Sequence, residues 1–395
     1  MSGTRIGAGL STEPNTEVAL ATAAGAAREQ LGRSDVDLAV VFASRSHLDR
    51  IDQGLAAVGD LLEPGSLIGC CAQGVVGPGH EIERGAGATV WAAALPEAHI
   101  ESFHLTASPV DEGIAIEGMP AVGAADEAGE PDMAVLLSDP LTFPADAMLD
   151  VLGEVYPGMP VVGGLASGAQ AIGDHVLFVG SEAVEQGAVG VFLDGVDVLP
   201  CVSQGAAPIG PEMVVTAAEG NMIGELASKP ALEKLTEVIA EVGARERALA
   251  ATGLLIGIVI DENRPEYERG DFLIRGLLGA DRSSGALAVG DTVRVGQTVR
   301  FHVRDARSAD EDLRQALALQ HEALAGRTTA GALLFTCNGR GSHMFPVADH
   351  DAGALAESLG APPVSGFFCA GEIGPVGGRN FLHGFTATIA LFAGS

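Results

Sequence analysis

Positive charge is scarce in this sequence. Its 395 residues carry 22 Lys and Arg against 52 Asp and Glu, a formal net charge of −30, and Lys229 and Lys234 are the only lysines. Phosphate backbones are bound by clustered cations, so such a surface repels nucleic acid, and an anionic membrane surface is disfavoured for the same reason. Long apolar runs are also missing, because charged or turn-forming residues interrupt every candidate short of bilayer-spanning length. The opening "MSGTRIGAGLSTEPNTE" lacks the apolar stretch of a secretory signal, so a cytoplasmic protein is expected. Cysteine is sparse: Cys70, Cys71, Cys201, Cys337 and Cys369 are odd in number and contain no CxxC. That pattern argues against structural disulfides and against zinc, and predicts reduced, buried thiols. The glycine-rich "GRGS" and "GEIGPVGG" lack the order GxxxxGK[ST] and its lysine, so phosphate binding has little support. No metal or cofactor is called for.

Glycine, by contrast, is abundant, with 54 residues beside 20 prolines. Three stretches resemble one another: "LIGCCAQGVVG" (67–77), "VVGGLASGAQAIG" (161–173) and "VSGFFCAGEIG" (364–374). Each holds a glycine pair at one spacing: Gly69 and Gly74, Gly163 and Gly168, Gly366 and Gly371. Upstream of each lies an apolar run of strand length, "LAVVFAS", "MAVLLSD" and "ALLFTCN". Between the paired runs, apolar residues recur at helical spacing, as at Leu48, Ile51, Leu55, Val58 and Leu62. The unit reads as strand, helix, strand, glycine turn and further strand, which favours parallel pairing through a right-handed crossover. Runs such as "GAVGVFLDG" (187–195) and the hairpin-like "TVRVGQTVRFHVRD" (292–305) add antiparallel strands. The expected fold is α/β, two closely packed lobes with mixed parallel and antiparallel sheets flanked by helices. A helical lead-in over 1–34, a first domain over 35–229 and a second over 230–395, each half built from similar units, complete that expectation. Ser308 with Glu311 forms a capping box opening the helix "ADEDLRQALALQHEAL".

The repeat is asymmetric at one place. Counting from the second glycine of each pair, Val75 and Ala169 stand where the third copy has Glu372. A carboxylate unique to one copy needs a reason other than turn chemistry.

The chain resembles the FIST family, a two-part sensory module of bacterial signalling proteins. The first part is similar over "LAVVFAS", "LIGCCAQG", "VVGGLASG", "SQGAAPIGP" and "VTAAEGNMIGELASKPALEKL". The second is similar over "DFLIRGLLGAD", "LAVGDTVRVGQTVRFHVRD", "ALLFTCNGRGSHMFP", "GFFCAGEIGP" and "FLHGFTATIALF". Ala206 and Ala207 depart from the cysteine–arginine pair that members often show in the "SQGAAPIGP" loop. The resemblance implies binding of a small polar ligand such as an amino acid, with the signal passed to a separate partner protein, since no output module is recognisable here.

Arg340 in "CNGRGSH" and Glu372 in "CAGEIG" lead the candidate ligand residues, with Asn338, Gly341, Gly371 and Cys337 around them. Both charges follow strand ends, where ligands collect in open α/β sheets. A guanidinium holds a carboxylate through two parallel bonds and a carboxylate holds an ammonium, so an amino acid zwitterion suits the pair. The competing reading is that the two charges simply neutralise each other. Arg275, in the strand-like "FLIRGLLG", is a further candidate for the same cleft. The alternative function is a thiol-dependent hydrolase or transferase using Cys337 or Cys369, with His343 or His383 as base. His47 and His343 otherwise read as surface or capping histidines.

Overall fold

The computed structural model describes residues 3–32, 35–111, 113–120, 130–267 and 270–394. The chain forms two compact units. The first contains 1–202, 313–382 and 386–395, and the second contains 203–312 and 383–385.

The first unit carries the repeat. Strand β1 (Arg5–Ser11) and helix α1 (Thr16–Leu31) precede it. The first copy runs through β2 (Leu38–Ser44), helix α2 (Ile51–Leu62), β3 (Ser66–Ala72) and β4 (Val75–Gly77). The second runs through β5 (Met133–Ser138), helix α3 (Ala145–Val155), β6 (Val161–Leu165) and β7 (Leu177–Val179). The third has β8 (Thr329–Cys337), β9 (Val364–Cys369) and β10 (Glu372–Val376), followed by β11 (Thr386–Ala393). In every copy the first two strands pair in parallel, β2 with β3, β5 with β6 and β8 with β9.

The third strand of each copy leaves home. β4 pairs antiparallel with β9, β7 with β3 and β10 with β6. Each copy therefore gives a strand to one neighbour's sheet and receives one from the other, in a cycle. The register also corrects the sequence alignment. Val75 faces Phe367, Leu177 faces Cys70 and Glu372 faces Gly164, so Leu177, not Ala169, is the counterpart of Glu372. Residues 166–176 intervene before β7 in the second copy, which is why counting from the glycine fails there.

The glycine pairs mark the crossing. A Cβ on Gly69, Gly163 or Gly366 would lie 1.9, 2.0 or 1.8 Å from the carbonyl oxygen of Val41, Leu136 or Leu334. Those carbonyls occupy equivalent places on β2, β5 and β8, so the glycines admit the same close strand approach in each copy. Inner faces of the three sheets share one core, with Leu38, Val40 and Phe42 meeting Met133, Val135, Leu137, Leu333, Phe335 and Phe367. Outer faces bury Val41 under α1 and α2, and Leu136 under α3. Leu334 is covered by helix α6 (Ala306–Ala323) from Leu313 onward and by α7 (His350–Leu359), numbered after α4 (Ala231–Glu241) and α5 (Ala244–Thr252). Burial on both faces explains why these strands read as unbroken apolar runs.

The second unit departs from the repeat. Its described strands pair antiparallel throughout, and Ala206–Glu219 pairs both with Thr298–Arg304 and with Met222–Leu226, joining the two ends of the sheet. Ile256, Ile258, Leu287, Val299 and Phe301 fill its core. Only the second arm of the expected 292–305 hairpin is a strand, Thr298–Arg304. α6 starts at Ala306, and Asp305 Oδ2 accepts from the Ser308 hydroxyl at 2.6 Å while Glu311 binds Arg307 at 2.8 Å. The predicted capping box is thus replaced by an aspartate one turn earlier.

Candidate functional site

The turn after β8 is set by local bonds. The Asn338 N–H donates to Cys369 O at 2.9 Å and the Arg340 N–H to Cys337 O at 2.8 Å. Gly341 then takes a φ of +59°, a left-handed value that glycine accepts freely, and a Cβ there would meet the Glu83 carboxyl at 2.7 Å. Glu83 in turn accepts from the Ser342 N–H at 2.7 Å and hydroxyl at 2.6 Å.

This turn drives Arg340 inward, where its side chain is 0% exposed. Its charge is met by Asp351, not by Glu372. Nε donates to Asp351 Oδ2 at 2.7 Å and Nη2 to Oδ1 at 2.8 Å, the bidentate fork that suits guanidinium and carboxylate. Thr336 Oγ1 donates to Asp351 Oδ2 at 2.6 Å, and His350 Nδ1 lies 2.8 Å from Oδ1. These partners hold the Asp351 carboxyl below its usual range despite burial, and Asp351 helps hold Arg340 above its own. Half-buried Glu81 caps α7, its Oε1 accepting from the N–H groups of Asp351 at 2.8 Å and Ala352 at 2.9 Å. Burial, then the Asp351 charge, pushes Glu81 up to about 8. The Phe345 ring stacks on His350 at 3.4 Å between centroids and lies 5.1 Å from the Arg340 guanidinium carbon.

Glu372 opens β10 and is also 0% exposed. Its Oε2 accepts from the Thr386 N–H at 3.0 Å and hydroxyl at 2.9 Å. Burial raises its pKa to about 8, against the opposing pull of Thr386, the Cys337 thiol and the Arg340 guanidinium. Three buried atoms in this group have no hydrogen-bond partner among the described residues: Arg340 Nη1, Glu372 Oε1 and Asn338 Oδ1. Gly371 ties the segment to β6, its carbonyl accepting from Leu165 N at 2.8 Å, while Ala370 beside it is exposed.

Arg340, Glu372, Asn338, Gly341, Gly371 and Cys337 thus lie together around the ends of β8 and β9 and the start of β10. Arg275 belongs to the second unit, where its Nε donates to Asp291 at 2.7 Å. His343 is exposed, but His47 is fully buried, contrary to the surface reading, with Nδ1 3.2 Å from the Thr16 hydroxyl of α1. All five cysteines are buried, and desolvation raises the Cys369 thiol well above its usual range. Sequence reasoning missed Asp351, Glu81 and Thr386. The acidic "DHD" at the start of α7 was a usable signal for Asp351, whereas nothing local in "GFTATIALF" marks Thr386.

Residues 37–229 match the FIST N domain and residues 231–375 the FIST C domain. This chain belongs to the FIST family. Arg340, Asp351 and Glu372 all fall within the second match. An uncharacterized protein of Mycobacterium tuberculosis (strain ATCC 25618 / H37Rv) is 47% identical over 388 residues, covering 98% of this chain and 99% of the relative. An uncharacterized protein of Mycobacterium bovis (strain ATCC BAA-935 / AF2122/97) is 46% identical, covering 98% of each. FIST domains are generally sensory. No helix among the described residues is long and apolar enough to cross a membrane.

Proposed function

We propose that this FIST protein senses a small polar metabolite, such as an amino acid, at the group around Arg340 and Glu372, and relays occupancy to a separate signalling protein. One observation carries the reading: Arg340 Nη1 and Glu372 Oε1 are both buried without a partner, on side chains otherwise fixed by bidentate or paired bonds. A buried polar atom left unsatisfied costs about 1–3 kcal/mol, so a ligand that meets these atoms recovers energy the fold leaves open. Half-buried Asn338 and exposed Ala370 lie at the margin. For the thiol alternative, which would use Cys337 or Cys369, both thiols are buried and burial raises the Cys369 thiol well above its usual range.

Thermal-shift screening against amino acids and related metabolites tests this reading. A ligand at a hundred times its Kd adds about 2.7 kcal/mol and raises Tm measurably. Failure of a broad metabolite panel to move Tm would reject the site.

A further inference from the structure

We infer that the Arg340–Glu372 group recognises a carboxylate, with Glu372 acting as a hydrogen-bond donor, so that its ligands are small organic acids. Amino acids belong to that class through their carboxylate and not through their ammonium group. The inference rests on the ligand-binding reading above and reverses the role that sequence alone suggests for Glu372.

The geometry gives three reasons. First, Arg340 is already neutralised by Asp351 through two bonds, which leaves Nη1 as a free donor and not an unmatched charge. Second, Glu372 Oε2 is occupied by both Thr386 donors, so a proton on this carboxyl sits on the unpartnered Oε1. Third, burial keeps that proton in place against neighbours that favour the ionised form. Gly164 faces it from β6, and the titratable neighbours are the Cys369 thiol on β9, the Cys337 thiol on β8 and the Arg340 guanidinium beyond it. Burial outweighs the Thr386 bonds, the Cys337 thiol and the guanidinium, and raises the carboxyl to about 8. Two donors, Nη1–H and Oε1–H, are then left for a ligand. A carboxylate accepts from both, whereas an ammonium would set donor against donor. Asn338 Oδ1 is a buried acceptor for an N–H or O–H elsewhere on the ligand, which favours 2-amino and 2-hydroxy acids.

Linkage gives the two modes opposite pH slopes. Carboxylate binding needs the protonated acid, so affinity is flat below about pH 8 and falls about tenfold per unit above it. Ammonium binding needs the ionised form, so affinity would rise about tenfold per unit up to the same point. Calorimetric titration of the full chain from pH 6.5 to 9.5 separates them, using amino acids, their carboxamides and the matching 2-hydroxy acids. The acids bind, the carboxamides lose at least about a hundredfold, and affinity falls above pH 8. Glu372→Gln keeps a donor at the same position and abolishes the fall. Carboxamides binding as tightly as acids, or affinity rising toward pH 8, would overturn the inference while leaving ligand binding intact. Absence of binding by acids, carboxamides and simple amines alike would remove both. The wild-type pH profile decides the matter even where the variant fails to fold.

Discussion

Arg340 and Glu372 differ in how burial treats a charge. Arg340 stays ionised because Asp351 meets it with two bonds, while burial of Glu372 outweighs what Thr386, the Cys337 thiol and the Arg340 guanidinium offer its ionised form and raises it to about 8. Asp351→Ala leaves a buried, unmatched guanidinium and should cost about 3–5 kcal/mol in urea unfolding. Arg340→Met combined with Asp351→Leu should be far closer to wild type, and a double variant as unstable as the single one would contradict the ion-pair account. Glu372 has the opposite linkage. Its folded pKa of about 8 lies above an unfolded value of about 4.3, so its stability contribution is complete below the unfolded value and is lost as pH rises through the folded one. Glu372→Gln should therefore flatten the stability profile by about 1.4 kcal/mol per pH unit inside that window, read from unfolding at several pH values. Iodoacetamide at mildly acidic pH should label none of the five buried cysteines of the native protein. Both leading charges stood out in the sequence because each sits among glycines. Their partners did not, since Asp351 is 11 residues from Arg340 and Thr386 is 14 from Glu372, and only the folded chain chooses between such distant candidates.

At the level of the element, glycine has two unlike roles. Gly366 on β9 abuts the Leu334 carbonyl, so Gly366→Ala should destabilise by about 1–3 kcal/mol or more through overpacking. Gly25, within α1, has no atom within 4 Å of a built Cβ, so Gly25→Ala should stabilise by about 1 kcal/mol. Thermal unfolding of the two variants checks both signs together. Strand cores such as Leu38–Ser44 and Met133–Ser138 were legible because they are continuous apolar runs. The start of α6 was not, because Asp305 and Ser308 are both good caps and the competition is settled by which one the preceding strand delivers to the helix axis.

For the whole chain, exchange of strands makes the three copies interdependent. A fragment covering only the FIST N match, 37–229, lacks β1, β9 and β10, so β4 and β6 each lose a sheet partner. Such a fragment should show no cooperative thermal transition and poor amide dispersion in NMR, whereas the full chain melts cooperatively. A well-folded fragment would show that the exchange is dispensable. The sequence by itself determined the α/β class, the three copies, their glycine pairs and the oddity of Glu372, because strand and helix periodicity and turn chemistry are local properties. Tertiary structure alone decided that each third strand crosses to another copy, that Leu177 is the true counterpart of Glu372, and that Arg340 belongs to Asp351. It also decided that burial raises Glu372 to about 8, because desolvation depends on what surrounds a side chain in space and not on its neighbours along the chain.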